Sequence, residues 1–165
     1  NLTEKVGRRF MGKKIGIISD THGLVRKEAI MALKGCEMII HAGDVGRPEV
    51  IDELKLIAPV IAVRGNVDRG IWAEELPLTE VVQIENVNIW VIHDISTLDI
   101  DPKAAGINVV IYGHSHKMKK EYLDDVLYVN PGSAGPRRFD YPVSLALMKI
   151  DEDTIDVKFI DLGEI

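Results

Sequence analysis

Five short apolar runs rich in Ile and Val recur at close intervals along the chain: Ile15 to Ile18, Met38 to Ile40, Val60 to Val63, Val87 to Ile92 and Val109 to Tyr112. Runs this short and this continuously apolar are the pattern of strands buried on both faces, because a wet face would impose alternation with polar residues. Helix-like stretches separate the first three, Arg26 to Leu33 and Arg47 to Leu56, the latter opening with Pro48 near a first-turn position. Strand, helix, strand, helix, strand calls for right-handed crossovers and a parallel sheet. The second half changes character: Glu80 to Glu85, Lys119 to Tyr122, Val126 to Val129, Val143 to Ile150 and Thr154 to Asp161 read as strands joined by short turns. Asp124-Asp125 and Asp151-Glu152-Asp153 supply the turn chemistry, so a partly antiparallel second sheet packed against the first is expected, within the α/β class. Gly and Pro punctuate the chain without forming a linker, and there is no internal repeat, so residues 11–165 are expected to form a single domain. Residues 1–10 are polar and precede Met11; they are read as an upstream extension or a cloning remnant.

A chain of 165 residues buries about 70% of the surface it exposes when unfolded, so it needs no disulfide or structural metal simply to fold. Its one cysteine, Cys36, cannot form an internal bridge, which points to a reducing, cytoplasmic setting. Subtracting 26 acidic from 20 basic residues leaves a net charge of -6. That balance argues against charge-driven binding to a nucleic acid polymer or an anionic membrane. No apolar run approaches the ~20 residues of a membrane helix, and no secretory signal is read at the start.

The residues just after each apolar run carry the chemistry. Asp20-Thr21-His22-Gly23 closes the first, His41-Ala42-Gly43-Asp44 the second, Gly65-Asn66-Val67-Asp68 the third, His93-Asp94 the fourth and Gly113-His114-Ser115-His116 the fifth. In a mostly parallel sheet the residues beyond the carboxyl ends gather along one edge, where such folds place their ligands. Asp20 with His22, and His114 with His116, are spaced by two, so on an extended backbone each pair points to one side as a chelate. Carboxylate, amide and imidazole donors without thiolate suit manganese, iron or zinc. Asp20, His22, Asp44, Asn66, His93, His114 and His116 make seven candidate ligands, too many for one tetrahedral ion and reasonable for two ions sharing a carboxylate.

Taken singly, each residue has a plainer explanation. An Asp after a strand is usually a cap or turn former, and a single His is more often hydrogen-bonded than ligating. The joint pattern weighs against this, because four of the five histidines fall at strand exits.

With these motifs in order, Asp20-Thr21-His22, Gly43-Asp44, Gly65-Asn66-Val67-Asp68, His93 and Gly113-His114-Ser115-His116, the sequence resembles the calcineurin-like metallophosphoesterase superfamily and its small, single-domain phosphodiesterase branch. The resemblance implies two mixed β-sheets packed as a sandwich flanked by helices. It also implies two divalent ions, manganese first with iron, zinc or nickel as alternatives. Asp20, His22, Asp44 and His116 would hold one; Asn66, His93 and His114, with Asp44 bridging, the other. A hydroxide shared by two such ions would attack a small soluble phosphodiester in line, so Asp44, Asn66 and His93 count as catalytic and Asn66 also as a substrate contact. Many larger members follow the Asn of the third motif with a histidine that assists the leaving group. Here Val67 stands there, which predicts a preference for good leaving groups and, unless another residue donates the proton, slow turnover. Asp94-Ile95 likewise replaces a frequent Gly-His.

Weaker candidates are Arg137 or Arg138 as a phosphate contact, His41 as a group orienting Asp44 and Asp68 as a loop fastener. Asn130-Pro131-Gly132-Ser133 resembles a loop near the site in the small branch, and Trp72 and Trp90 read as core or rim packing. The expected function is therefore a metal-dependent phosphodiesterase. The alternatives are a scaffold of the same fold, like the retromer subunit with lost histidine ligands, and a phosphomonoesterase. The sequence leaves a homo-oligomer open.

Overall fold

The computed structural model describes residues 12–164; the expected extension at 1–10 lies outside them. β1 (Lys13–Ile18), β2 (Met38–His41) and β3 (Val60–Ala62) run parallel, connected by α1 (Lys27–Leu33) and α2 (Pro48–Lys55). After a four-residue helix, α3 (Ile71–Glu74), the chain builds a second sheet from β4 (Thr79–Ile84), β5 (Val87–Ile92), β6 (Val109–Ile111), β7 (Met118–Leu123) and β8 (Val126–Pro131), in the order β4-β5-β6-β8-β7. The inner strands β5, β6 and β8 are parallel, and the antiparallel strands β4 and β7 close the edges.

The last hairpin, β9 (Ser144–Asp151) and β10 (Thr154–Asp161), does not join the second sheet as the sequence pattern grouped it. It returns to the first, giving the order β10-β9-β1-β2-β3. β9 pairs antiparallel with β1, Ile15 opposite Met148 and Ile17 opposite Ala146. Burial explains the choice. Leu145, Ala146, Met148 and Ile150 are all buried, so β9 needs both faces covered, and β1 would otherwise present an unpaired apolar edge.

The two sheets face each other over a core of Ile15, Ile17 and Ile40 from the first and Ile89, Val91, Val109 and Val129 from the second. On the outer face of the first sheet, α1 and α2 lay Ala29, Leu33, Val50 and Leu54 against Ile18, Ile39 and Leu145. The outer face of the second is covered instead by the segment after β5, whose Ile95, Leu98 and Ile107 meet Val110, Tyr112 and Val126. Among the described residues, α-helices therefore flank the first sheet only. None in the described residues is long and apolar enough to cross a membrane.

Candidate metal centre

The exits of β1, β2, β3, β5 and β6 meet, and their loops are sewn together by backbone hydrogen bonds. Asp20 N–H donates to the Gly43 carbonyl (3.0 Å), His22 N–H to Asp44 (3.0 Å) and Gly113 N–H to His93 (3.0 Å). Two groups of side chains face one another across this seam: Asp20, His22 and His116, and Asp44, His93 and His114. Within each group one donor atom per residue lies within 4.8 Å of the others. Asp44 belongs to both neighbourhoods, because its Oδ2 is 3.2 Å from His93 Nε2 and 3.7 Å from His22 Nε2. Asn66 Oδ1 completes the second group at 3.0 Å from His93 Nε2 and 3.2 Å from His114 Nδ1.

The extended chelate expected from the two-residue spacings is not what forms. Asp20, His22, Asp44, His114 and His116 all have left-handed backbones, with φ of 54, 47, 56, 72 and 66°. His114 and His116 consequently enter different groups, and Asp20 and His22 share one through a turn and not along a strand. Such dihedrals are unfavourable for residues with a Cβ, by roughly 1 kcal/mol or more each. Close packing enforces them: Gly65 passes so near Asp44 that a Cβ there would strike its amide and carboxylate, and a Cβ at Gly43 (φ +98°) would lie 2.7 Å from His93 Nδ1.

Polar partners aim the donors. The second carboxylate oxygen of Asp20, Oδ2, accepts from Ser19 Oγ–H (2.7 Å) and His114 N–H (3.1 Å), which leaves Oδ1 directed at the cluster. Asp44 Oδ1 accepts from Val67 N–H (3.0 Å), a backbone duty that any residue but proline could perform at 67. The Ala42 carbonyl accepts from His93 Nδ1–H (2.7 Å), so in the neutral ring the free lone pair is on Nε2, beside the oxygens of Asp44 and Asn66. Three acceptors converging there are stable only around a proton or a cation.

Protonation follows the same geometry. Burial pushes His93 down, but its hydrogen bond to Asp44 and the charges of Asp20 and Asp44 outweigh this and raise it above the ordinary histidine value. Burial would raise Asp44, yet the His93 hydrogen bond, the Val67 N–H and the nearby imidazoles hold it at about 2. His22 is lowered, chiefly by burial. His41 is fully buried and is lowered to about 4 by desolvation. Its tautomer is determined: Gly43 N–H donates to Nδ1 (3.1 Å), so Nε2–H donates to Thr21 Oγ1 (3.0 Å), whose own proton goes to the Val45 carbonyl (2.9 Å). His41 thus binds the β1 and β2 loops together next to Asp44.

The donor set fits divalent cations on an independent observation. Asp20 Oδ1 and His22 Nε2, 3.9 Å apart in the cluster, are two of only four buried side-chain polar atoms without a hydrogen-bond partner among the described residues. Leaving them bare would cost about 1–3 kcal/mol each.

Asp68 accepts from the N–H groups of Val45, Gly46 and Gly65, fastening the β2 loop to the β3 loop. The loop after β8 does more than lie near the site. At the end of β8, Asn130 donates to the Gly113 carbonyl and to Ser115 Oγ, and in the loop beyond it Ser133 Oγ–H donates to the Asp20 carbonyl, so the two brace the fifth motif and Asp20. Ser19 is the residue that the motifs miss, because a serine at a strand end carries no distinguishing signal. Asp94 caps the short 3-10 turn Ile95–Thr97 by accepting from Ser96 N–H (3.0 Å), with its Oδ2 3.9 Å from His114 Nε2. Of the two arginines, Arg137 has its Nη2 against Gly163, while Arg138 is the one whose charge reaches His22.

Comparison with known proteins gives the same direction from sequence and from fold. A family model described as the calcineurin-like phosphoesterase superfamily domain matches residues 14–153. A probable metallophosphoesterase of Methanothermobacter thermautotrophicus is 35% identical over 161 residues, spanning 90% of this chain and 92% of that protein. A structure described as a novel archaeal phosphodiesterase superposes with a TM-score of 0.75 at 28% identity, covering 89% of this chain and 99% of the other. A single mutant of Vps29 from Entamoeba histolytica reaches a TM-score of 0.73 at 21% identity over 90% and 98% of the two chains, a likeness of fold alone.

Proposed function

Because the chain belongs to the calcineurin-like phosphoesterase superfamily, we propose that it is a phosphodiesterase with two divalent metal ions, acting on a small soluble phosphodiester in the cytoplasm. Asp20, His22 and His116 would hold one ion, Asn66, His93 and His114 the other, and Asp44 would touch both. Bound there, two such cations, manganese foremost, would acidify a shared water towards neutrality and offset the charge of the phosphoryl group. The remaining work falls to the chain. Ser19 and the His114 amide fix the Asp20 carboxylate, and the Ala42 carbonyl fixes the His93 ring so that Nε2 faces inward. Two carboxylates among neutral imidazoles leave the pocket attractive to an anion once cations are present, although the whole chain is acidic.

The single observation that carries this reading is the position of Asp44 Oδ2 between His93 and His22, with the unpartnered Asp20 Oδ1 opposite. The intact histidine set favours hydrolysis over the scaffold role, since each of His22, His93, His114 and His116 stands at the cluster. Val67, 41% exposed, has no proton to give a departing alkoxide, which favours esters whose leaving group is already stable as an anion. The test compares bis(p-nitrophenyl) phosphate with p-nitrophenyl phosphate in the presence of Mn2+. Diester cleavage should dominate, and Asp44→Ala should reduce kcat/KM by about 10³-fold, the equivalent of the several kcal/mol that such ions supply. Failure to cleave either ester with manganese, iron, zinc or nickel overturns the hydrolase, and dominant monoester cleavage overturns the diester preference.

A further inference from the structure

Beside the metal centre, between β4, the β3 loop and the 3-10 turn after β5, lies a cavity of about 530 Å³, a volume typical of pockets for small organic ligands. Asn66 and His93 form its inner wall, so it adjoins the proposed reaction centre directly. Most of its remaining surface is carbon. Trp90 and Ile92, two apart on β5, share one face of the strand and belong to the apolar cluster on the outer side of the second sheet. The indole Nε1–H of Trp90 is buried, so the ring meets the cavity through its carbon atoms. Leu78, just ahead of β4, adds to the lining and is 62% exposed, a large apolar side chain left in water beside the site. Polar groups on the opposite wall are already engaged within the 3-10 turn. Asp94 Oδ1 accepts from Ser96 N–H (3.0 Å) and Ser96 Oγ–H (2.7 Å), and Thr97 Oγ1–H donates to the Asp94 carbonyl (2.7 Å). Arg64 stands against two carboxylates in the lining, Asp94 and Asp99, a balance that disfavours a second anionic group.

We propose that this cavity is the subsite for the substituent that the diester keeps, and that it selects an uncharged apolar group, aryl above short alkyl. With the phosphoryl group at the metal centre, such a substituent would cover Trp90, Ile92 and Leu78 and take their carbon surface out of water. Asp94 Oδ1 and Thr97 Oγ1, bonded within their own turn, would lose no partner on its arrival. A hydroxyl-rich substituent would instead desolvate its own polar groups against carbon. The departing group does not suit this cavity, because it gains negative charge and would do so beside two carboxylates. The inference rests on the phosphodiesterase reading and adds the class of substituent to it. Trp90 keeps the rim packing that the sequence suggests, and Leu78, which no motif contains, becomes a specificity residue.

Three diesters with the same p-nitrophenolate leaving group separate the outcomes: phenyl, methyl and 2,3-dihydroxypropyl p-nitrophenyl phosphate. The wild type with Mn2+ should favour the phenyl ester over the methyl ester by about tenfold or more in kcat/KM, with the dihydroxypropyl ester no better than the methyl. Leu78→Ser, an uncharged change at an exposed position, should shrink the phenyl-to-methyl ratio by about fivefold, chiefly through KM. Preference for the methyl or dihydroxypropyl ester, or an unchanged ratio in Leu78→Ser, overturns the subsite while leaving the hydrolase intact. Cleavage of none of the three overturns the reading on which the subsite rests. A binding measurement stands apart from turnover, with Zn2+ in place of paramagnetic Mn2+ and phosphonates that cannot be hydrolysed. Phenylphosphonate should bind about tenfold tighter than methylphosphonate and shift the Leu78 methyl resonances upfield through its ring current. Equal affinities, or unmoved Leu78 methyls, overturn the subsite even if all three esters are cleaved.

Discussion

The two halves of the candidate centre use nearly the same donor chemistry in different surroundings. Asp20, His22 and His116 are walled in, with side chains 0, 14 and 9% exposed. Opposite them, Asp44 and His93 are buried but His114 is 47% exposed, and the adjoining cavity opens on this side. The closed half has its donors locked by Ser19, the His114 amide and the β8 loop, whereas the open half ends in a ring facing solvent. Preorganised donors hold a cation tightly, and a half-open set exchanges its ligands. On the proposed two-metal reading, the difference would give retention of an ion to one half and substrate access to the other.

The sharpest way to break this contrast is to remove one donor from each side. Asp20→Ala should lower kcat/KM by about 10³-fold and should not recover in excess Mn2+, because the lost carboxylate is the one the loops are built to aim. His114→Ala should cost only about 10–100-fold and recover partly at high Mn2+. Equal, unrecoverable losses would erase the distinction between halves.

Acid and base should tell the buried hydrogen-bond network from the open cluster in metal-free protein. His41, held at about 4 in the fold, binds fewer protons than it does unfolded between pH 6.5 and 4, so stability falls as pH drops through that window, by about 3 kcal/mol at most. His93 works in the opposite sense: its raised value adds stability at low pH that disappears as pH rises through its folded pKa, above 6.5. Urea midpoints of the chelated protein should therefore peak near pH 6.5 and decline on both sides, and added Mn2+ should remove the alkaline decline by replacing the proton at His93. A midpoint flat from about pH 4 to 8 would contradict both assignments. The smallest effect belongs to Ser19→Ala, which deletes one hydrogen bond to the Asp20 carboxylate. It should cost about 1.5–3 kcal/mol in stability, read as a lower urea midpoint at neutral pH, and an unchanged midpoint would mean that Asp20 holds its position without it.

Much of this molecule is legible in its sequence, for reasons that also show where legibility stops. Buried strands write themselves as Ile- and Val-rich runs, so β1, β2, β3, β5 and β6 are visible, and chemistry at their carboxyl ends follows from parallel geometry. The destination of the β9–β10 hairpin is not local information. Ile15 meets Met148 from the far end of the chain, and only the unpaired edge of β1 in the folded core decides it. α3, four residues long, is too short for a helical period to show. In the site, residue types were readable but directions were not. His114 and His116 are two apart and serve different groups because both turn left-handed, a property of the crowded loop and not of histidine. Ser19, Asn130 and Ser133 act through hydrogen bonds to backbone, hydroxyl or carboxylate, and their neighbours in sequence do not tell which strand exit they will brace.

The five left-handed residues at the centre set a direction for evolutionary drift. Glycine at His22, His114 or His116 would relax a disfavoured dihedral, so abandoning the chemistry does not endanger the architecture at those positions. A lineage released from selection for hydrolysis would keep a sound platform whose surfaces are free to acquire other work.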